Sequence, residues 1–444
     1  MHTIGKTHRM IRYAVLLMAG VSCLTASTGA QEIIRRVPVK EGLAAHPVNG
    51  GKCLISDATY QYLAFYDADH RLTVAKRRLG GTEWEFAVTP EKVGWDTHNR
   101  AVLFQDRDGY LHLTGNMHND PLNYYRTQAP RDIQAFEAIH TWAGQYENRV
   151  TYPYLLEAAD GSLHMMYRHG GSGNGMRLLV HYEEDSQRWV GTGSAFISGM
   201  DREPPCNAYP FGSIHEDGNG VWHIAWCWRE TPDVVTNFDI CYAKSLDNGY
   251  TWQRWNGSAY TLPIRPENAE VVEDIAMRSG LMNGGAITTD ENGTPYIGYT
   301  RFGENEYNQI YVATPVGDEW QIIQVSNFDE HIHFAGRGTI PARPPIPRLH
   351  VDQDKQLHVR KGGRELVLSR EELLAYEPGA LKWQLVEETK LGIPNIRAVN
   401  RGPLPDGEQH YMQQEVDRPN RDRKPENPKE PTMIYIVETK LSSE

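Results

Sequence analysis

Cysteine is scarce in this sequence, with 5 residues among 444. One of them, Cys23, lies in the N-terminal segment, which leaves Cys53, Cys206, Cys227 and Cys241 for the rest of the chain. So few cysteines over so many residues exclude a disulfide framework as the main source of stability. A fold of this length must therefore depend on a large apolar core.

Positive charge is also in short supply, because 45 lysines and arginines stand against 57 aspartates and glutamates. The resulting net charge of −12 argues against a nucleic-acid-binding protein, which would present a basic face. It leaves an acidic polysaccharide open as a substrate, since a cleft can be locally basic on an acidic protein. We expect a monomer with no nucleic-acid partner.

Long apolar runs are absent except near the N-terminus. Residues 1–12 are basic and residues 14–26 are apolar, and the apolar run is too short to span a bilayer. Small residues follow at positions 28–30, where cleavage can occur. The pattern predicts a signal peptide over residues 1–30 and a secreted or periplasmic protein. Lipid attachment at Cys23 is the alternative, although no leucine stands three residues before it.

Glycine, proline and tyrosine are abundant, at 40, 26 and 23 residues, and no long segment follows a helical period. Such a composition favours many short strands joined by tight turns. An internal repeat supports this interpretation: a turn ending in glycine, or once in lysine, precedes a strand with histidine or tyrosine three residues after the turn. These positions, called the slot here, are His112, His164, His223, Tyr296, His358 and His410.

One copy of the repeat contains a full S-x-D-x-G-x-T-W motif, the Asp-box, at residues 245–252. In this hairpin turn the Ser and Asp cap the backbone and the Trp packs between strands. The motif is similar to the repeat of sialidase-type β-propellers, and it indicates architecture without indicating activity.

The repeat predicts an all-β fold, a seven-bladed β-propeller of four-stranded antiparallel blades, in one domain over residues 31–444. A four-stranded sheet cannot bury both of its faces alone, whereas sheets stacked around an axis can. Six blades are the alternative, and a strand from the N-terminus is expected to complete the last blade. The blades are expected near residues 49–86, 97–138, 150–191, 207–255, 276–322, 346–385 and 395–440.

The repeat also separates two kinds of histidine among the 18 in the chain. A residue that recurs at one position around a ring is most simply architectural, so we expect the slot histidines to have packing or capping roles. Histidines outside the slot are the better candidates for function. They are His98, His118, His169, His215, His331 and His333.

Four side chains are expected to converge at one mouth of the ring. His98 and His118 flank a hairpin, so the turn brings them close together. In the next blade Tyr152 holds roughly the place of His98, and Arg168 lies near the place of His118. Because adjacent blades present equivalent positions side by side, two imidazoles, a phenol and a guanidinium should meet in one positive cleft.

Five motifs carry a family resemblance: WDTHN, GYLHLTGNMHNDPL, RVTYPYLL, MYRHGGSGNG and ICYAKSLDNGYTW. Over roughly residues 45–320 the sequence resembles the BNR-repeat β-propeller polysaccharide lyases of families 24 and 25. Those enzymes cleave ulvan, the sulfated rhamnose–uronate polymer of green algae. The resemblance implies β-elimination at a uronate, leaving 4,5-unsaturated ends. The catalytic residues it implies are His98, His118, Tyr152 and Arg168, and we expect Asn116, Asn119, His169 and Arg301 to bind substrate.

These residue types suit removal of the C5 proton of a uronic acid and loss of the oxygen at C4. Arg168 would pair with the carboxylate and stabilise the charge that develops there. His98 suits the base, Tyr152 suits the acid or the base, and His118 would orient or neutralise the carboxylate. We expect neighbouring cations to lower the pKa of Tyr152. No cofactor is required for this chemistry.

Two other functions stay open on the sequence alone. A glycoside hydrolase normally needs two carboxylates across the bond, and Asp96, Asp120, Glu147 and Glu203 form no paired motif. A sialidase-like arrangement of arginines is available by count, yet the surrounding motifs do not resemble it. A non-catalytic glycan-binding propeller is the remaining alternative, since fold does not fix function.

A metal site is a further expectation from blade four. Cys206, His215 and Cys227 lie close in sequence, and thiolate with imidazole is a zinc-type set of ligands. Their spacing matches no standard zinc motif, so ordinary buried cysteines are the alternative. Such a zinc would be structural and remote from the reacting bond.

Overall fold

The computed structural model describes residues 31–45, 48–191, 195–340, 343–344, 346–386, 393–418 and 422–441. The predicted signal peptide lies outside these residues. Almost all regular structure is β, and the α-helix of the described residues is the single short Arg370–Leu374. No helix among them is long and apolar enough to cross a membrane. Two 3₁₀ turns occur, at Ile133–Ala135 and Val234–Thr236.

The strands of the described residues form seven antiparallel sheets, numbered here along the chain. Sheet 1 contains Leu54–Ser56, Tyr60–Tyr66, Arg71–Arg78 and Glu85–Lys92. Sheet 2 contains Val102–Gln105, Leu111–Thr114, Tyr124–Thr127 and Phe136–Ile139. Sheet 3 contains His118–Asp120, Val150–Glu157, Leu163–Gly171, Asn174–Glu183, Arg188–Gly191 and Ile197–Ser198.

The remaining sheets follow the same antiparallel pattern. Sheet 4 contains Asn207–Pro210, His215–Glu216, Trp222–Arg229, Asn237–Ser245 and Glu270–Glu273. Sheet 5 contains Gly285–Thr289, Pro295–Phe302, Asn308–Val316 and Glu319–Gln324. Sheet 6 contains Arg348–Val351, Leu357–Lys361, Arg364–Leu368 and Gln384–Leu385. Sheet 7 contains Ile396–Val399, Glu408–Gln413, Thr432–Leu441 and Gln31–Gly42.

Sheet 7 joins the two ends of the described chain. The strand Gln31–Gly42 pairs antiparallel with Thr432–Leu441, as the repeat predicted. Arg401 of the same sheet bridges to Ile55 of sheet 1, so the two sheets are neighbours in space. The order of sheets is that of a propeller-like fold, and the closure of a seven-membered ring stays a prediction.

The recurring turn has a local physical cause. In sheets 2, 4 and 6 an Asp at the start of the turn, Asp106, Asp217 or Asp352, accepts a hydrogen bond at 2.8 Å from the backbone N–H four residues later. The residue between them has positive φ, which glycine adopts without strain; Gly109 has φ 89° and Lys355 has φ 63°. The sequence pattern of the repeat therefore reflects the residues that one type of turn requires.

The slot histidines complete that turn from the following strand. The ring of His112 places Nε2 3.2 Å from Asp106 and Nδ1 2.7 Å from the hydroxyl of Tyr124. The ring of His223 likewise lies between Asp217 and the hydroxyl of Tyr242. His112, His164, His223 and His410 are almost fully buried, and in sheets 2 and 4 the histidine joins the turn to the next strand of its sheet.

The Asp-box of sheet 4 adopts the predicted geometry. The hydroxyl of Ser245 accepts the backbone N–H of Gly249 at 2.8 Å, and Asp247 accepts the N–H and the hydroxyl of Thr251 at 2.8 and 2.7 Å. Trp252 is buried and donates its indole N–H to the carbonyl of Gly249. The motif thus holds a tight turn and packs an aromatic ring into the apolar cluster between sheets 3 and 4.

Candidate functional site

The strand His118–Asp120 carries one imidazole from sheet 2 across to sheet 3. The chain leaves sheet 2 after Thr114, pairs His118 with Thr151 of sheet 3, and returns to sheet 2 at Tyr124. His118 consequently lies beside Tyr152, the residue that follows its strand partner. The hairpin expected from the sequence forms between Val102–Gln105 and Leu111–Thr114, and the crossing that follows it brings His118 to sheet 3.

The four predicted side chains lie together. The ring centroids of His98 and His118 are 4.3 Å apart, and that of Tyr152 is 5.7 and 5.8 Å from them. The guanidinium carbon of Arg168 lies 5.1 Å from the centroid of the Tyr152 ring. Their predicted proximity is confirmed, while their roles in a reaction stay predictions.

Asp96 bridges the two imidazoles. Its Oδ1 lies 2.7 Å from Nδ1 of His98, and its Oδ2 contacts Nδ1 of His118. Burial alone would raise the pKa of Asp96, but the hydrogen bonds from His118 and His98 outweigh it and hold the pKa well below the usual range. An ionised carboxylate therefore engages Nδ1 of both rings, leaving Nε2 of each as the free nitrogen.

A second carboxylate reaches His98 from the far end of the chain. Asp422 belongs to the long segment before the last strand of sheet 7, and its Oδ2 lies 3.3 Å from Nδ1 of His98. It also contacts the hydroxyl of Thr97, and it accepts the backbone N–H and the hydroxyl of Thr339 at 3.1 and 3.0 Å. Asp422 thus brings a late part of the chain to one wall of the site.

Tyr152 has an unusual backbone. Its φ is 53°, a left-handed conformation that is rare for an aromatic residue and costs about 1–3 kcal/mol. The pairing of its strand shifts register between Thr151 and Tyr154, which marks a β-bulge. Bulges turn a side chain away from the regular alternation, and here the bulge places the phenol beside the imidazoles.

The acidity of Tyr152 differs from the expectation. Burial raises its pKa to about 12, because the loss of water around the phenolate outweighs the favourable charge of Arg168. The predicted lowering by cations is therefore wrong for the free protein. At neutral pH the phenol retains its proton and can donate it.

Arg168 is a buried cation without an anionic partner. It is 1% exposed, its Nη2 donates to the hydroxyl of Thr151 at 3.1 Å, and its Nε has no hydrogen-bond partner. Arg177 lies directly opposite on the next strand and donates only to the carbonyl of Ala208, at 3.1 and 2.7 Å. No ion pair holds either guanidinium within the described part of the chain. Since like charges across a strand pair repel, this arrangement is suited to receive an anion.

Sequence reasoning missed a second phenol close to these arginines. The hydroxyl of Tyr209 lies 3.4 Å from Nη1 of Arg229 and donates to the carbonyl of Ser172 at 3.1 Å. Burial would raise the pKa of Tyr209, but Arg229, Arg168 and the bond to Ser172 together lower it. The sequence around Tyr209, NAYPF, repeats the Tyr-Pro pair of TYPY at residues 151–154. This repeated pair could have indicated the second phenol from the sequence.

The expected substrate-binding residues fall into two groups. Asn116 and Asn119 lie at the edge of the site, both with positive φ, and the side-chain oxygen of Asn119 accepts a hydrogen bond from Arg149 at 3.0 Å.

His169 is directed away, with Nδ1 3.0 Å from the carbonyl of Tyr146, and burial lowers its pKa. Arg301 of sheet 5 is paired with Glu273 at 2.6 Å. Its expected contact with substrate stays a prediction.

The cysteines and His215 of sheet 4 are not brought together as metal ligands. Cys206 lies in the apolar cluster between sheets 3 and 4, and Cys227 lies in the one between sheets 4 and 5. Burial raises the pKa of each thiol to about 12, so neither is a thiolate at neutral pH. His215 contacts the hydroxyl of Thr289 at 3.1 Å. The two cysteines are core components, because they pack in different apolar clusters.

Among the described residues, two other groups have the chemistry of metal ligands, each with atoms within 4.8 Å of one another. One is Asp96, His98 and His118, within the site itself. The second lies in sheet 6 and consists of His350, His358 and Glu365.

The family of the chain follows from its repeats. The model of the BNR repeat-containing family matches residues 60–328, more than half of the chain, and the chain belongs to that family. A search of curated proteins finds no match.

Solved structures with the same fold include polysaccharide lyases. The polysaccharide lyase Uly1 has a TM-score of 0.60 at 14% identity, with 93% of this chain and 100% of that one covered. A PL25 ulvan lyase bound to GlcA(1-4)Rha3S has a TM-score of 0.54 at 12% identity, with 86% of this chain and 94% of that one covered. At such identities the likeness establishes a shared fold.

Proposed function

We propose that this protein is a polysaccharide lyase that cleaves a uronate-containing polymer by β-elimination. The observation that carries the proposal is Arg168, a buried guanidinium without a counter-ion beside two imidazoles and a protonated phenol. A uronate carboxylate would supply the missing charge. The lyases that share the fold give independent support.

Arg168 would act on the acidity of the sugar C–H bond. The proton at C5 is weakly acidic while the neighbouring carboxylate keeps its charge. A guanidinium on that carboxylate stabilises the charge that develops as the proton leaves, and a fixed donor of this kind contributes about 10²–10³ in rate. Arg177, opposite Arg168, would add to the positive potential.

The imidazoles would supply the base. Asp96 holds Nδ1 of both His98 and His118, so a neutral ring has the lone pair of Nε2 free. We assign proton removal to His98, whose Nδ1 faces the carboxylates of both Asp96 and Asp422. His118 would orient the carboxylate.

Tyr152 would supply the acid. With its pKa raised to about 12, the phenol is protonated at neutral pH and can donate to the leaving oxygen at C4. The raised pKa supports this choice between acid and base, because a phenol this weakly acidic is a poor base in the free protein. An anion bound at Arg168 would keep it protonated by removing the charge that favours phenolate.

A hydrolase is less well supported by the same site. Inverting and retaining hydrolases need a protonated carboxylic acid as proton donor, and such a group has a raised pKa. The pKa of Asp96 is instead lowered, which leaves it ionised between the rings.

We also propose how the sheets close, where the enzyme acts and which polymer it cleaves. We infer that the seven sheets are the blades of one closed propeller, and that residues 1–30 direct export, so that the enzyme meets its polymer outside the cytoplasm. An ulvan-type sulfated rhamnose–uronate chain is the proposed substrate.

The test is a panel of uronate polymers, with and without sulfate, incubated with purified protein. A lyase produces a 4,5-unsaturated uronate that absorbs at about 235 nm, as expected for proton abstraction next to a carbonyl. New reducing ends without this absorbance would indicate a hydrolase. Binding without new ends would indicate a glycan-binding protein.

A further inference from the structure

Sheet 6 contains a cluster of ligand-type side chains outside the cleft. His350 and His358 are directly opposite on adjacent strands, with ring centroids 4.2 Å apart. Nδ1 of His358 lies 2.7 Å from Oε1 of Glu365 on the third strand. The three residues thus come from three consecutive strands of one sheet, and their ligand atoms lie within 4.8 Å of one another.

His358 has a carboxylate at both ring nitrogens. Its Nε2 lies 2.8 Å from Oδ2 of Asp352, and its Nδ1 faces Glu365. A ring that donates Nε2–H to Asp352 directs the lone pair of Nδ1 at the oxygen of Glu365. Two lone pairs repel at that distance, so a cation, either a proton or a metal ion, must lie between them.

Sheet 4 provides an internal comparison. It repeats the spacing H-x-D-x₅-H, with His215, Asp217 and His223 in the places of His350, Asp352 and His358. There, however, Nδ1 of His223 lies 2.7 Å from the hydroxyl of Tyr242, and the two imidazole centroids are 6.2 Å apart. A phenol can donate to the ring nitrogen, whereas a carboxylate cannot. Sheet 4 therefore satisfies its histidine with a neutral hydrogen bond.

The surroundings of the two clusters also differ. Beyond His223 the same face continues with Ala225 and Cys227, which pack in the apolar cluster with sheet 5. Beyond His358 the corresponding residues are Arg360 and Gly362. Among the described residues, none of the apolar clusters joins sheet 6 to sheet 7. The face of sheet 6 that bears the histidines therefore lacks the apolar packing that the matching face of sheet 4 has.

We propose that His350, His358 and Glu365 bind a divalent transition-metal ion of the zinc class, which stabilises sheet 6. Two imidazoles and a carboxylate are a common ligand set for such ions, at about 2.0–2.2 Å from the metal. Asp352 fixes the tautomer of His358, as outer carboxylates do for metal-binding histidines.

Arg360 shares Glu365 with this site. Its Nε lies 2.5 Å from the oxygen that faces His358. The second oxygen of Glu365 can accept that hydrogen bond when the first binds the metal. Arg360 then offsets one of the two negative charges of Asp352 and Glu365, and the metal ion offsets the other.

Cobalt(II) is the probe, because its visible absorption reports coordination by nitrogen and oxygen. Untagged full-length protein is stripped with a chelator and titrated with Co²⁺, and then Zn²⁺ is added to displace it. We expect one bound Co²⁺, a band that Zn²⁺ removes, and a melting temperature that rises with metal concentration.

Four variants locate the ion. His350→Ala and Glu365→Gln should each abolish the band and the metal-dependent rise in melting temperature, while His215→Ala, the matched change in sheet 4, should retain both. His350 is partly exposed, so its removal is expected to leave the fold intact. A band that persists in His350→Ala, or that disappears in His118→Ala instead, would overturn the proposal. So would the absence of any Co²⁺ binding to the wild type.

Discussion

Two pairs of histidines in this protein have the same side chains and opposite environments. His164 and His181 are buried in sheet 3, with their Nδ1 atoms 2.6 Å apart. Burial lowers the pKa of His164 to about 3 and that of His181 to about 4. In the cleft, His98 and His118 are partly exposed and share the ionised carboxylate of Asp96. Burial keeps the first pair neutral, whereas the second pair is partly exposed and holds a carboxylate between its rings.

The difference shows why histidine count is a poor guide to a site. The slot histidines are numerous because a turn repeated around the molecule needs the same partner each time. The cleft histidines occur once, and their surroundings are built from three separate parts of the chain. Chemical competence depends on an accessible ring nitrogen and on the neighbouring charge. Of these two pairs, only the cleft pair combines partial exposure with an ionised carboxylate at both rings.

The largest effect should come from Arg168. Arg168→Lys should lower kcat on a uronate polymer by about 10²–10³, because an ammonium cannot make the two parallel hydrogen bonds of a guanidinium to a carboxylate. The fall in kcat should exceed the rise in KM. Arg107→Lys, in an exposed pair with Glu184, is the control and should keep full activity. A fully active Arg168→Lys enzyme would remove the central observation of the proposed function.

The two classes of phenol can be compared directly. Tyr152→Phe should lower the rate about a hundredfold with little change in melting temperature, since it removes one proton donor and keeps the ring. Tyr124→Phe should do the reverse, because His112 loses a buried partner at a cost of about 1–3 kcal/mol. Initial rates and thermal unfolding of both variants make the comparison. Equal loss of rate in the two would show that the cleft phenol has no special role.

The buried histidines should make the fold sensitive to acid. Their folded pKa values, about 3 for His164 and about 4 for His223, lie below the ordinary value of 6.5. Between these values the unfolded chain binds more protons than the fold, so the free energy of unfolding should fall as the pH drops from 6.5 towards 4. Above pH 6.5 these histidines should cause no further change in the free energy of unfolding.

Denaturant unfolding at a series of pH values measures this slope. His223→Gln keeps a polar side chain but cannot take up the proton, so its slope should be shallower than that of the wild type. A stability that stays constant down to about pH 4.5 would contradict the assignment of the slot histidines as neutral core groups.

The smallest effect is expected at Asp422. Asp422→Asn removes one of two carboxylates beside His98 while Asp96 remains, so the ring keeps its orientation. We expect a few-fold loss of rate, because the ring of His98 loses one of the two carboxylates that face it. An unchanged rate would mean that Asp422 serves only to attach its segment to Thr97 and Thr339.

Much of the fold could be predicted because its signals are local. The turn Asp, the residue of positive φ and the slot histidine lie within six positions of one another, so their spacing survives in the sequence. Asp106, Gly109 and His112 illustrate this in sheet 2. The seven predicted segments consequently overlap the seven described sheets.

Parts of the site could not be predicted because their contacts are remote. Asp422 reaches Thr97 across 325 positions of sequence, and no local pattern marks it. The raised pKa of Tyr152 depends on how deeply the fold buries its hydroxyl, which no motif specifies. Cys206 and Cys227 look like metal ligands in sequence and face different apolar clusters in space.

The sequence by itself determined the strand-and-turn repeat and the candidates His98, His118, Tyr152 and Arg168, because each is marked by residue type and position within a repeat. The tertiary structure alone decided how they are connected. Pairing His118 with Thr151 placed the imidazole in the next sheet, and a bulge then turned Tyr152 towards it. Register, burial and long-range contact set the pKa values of Asp96 and Tyr152, and these arise only when distant strands meet.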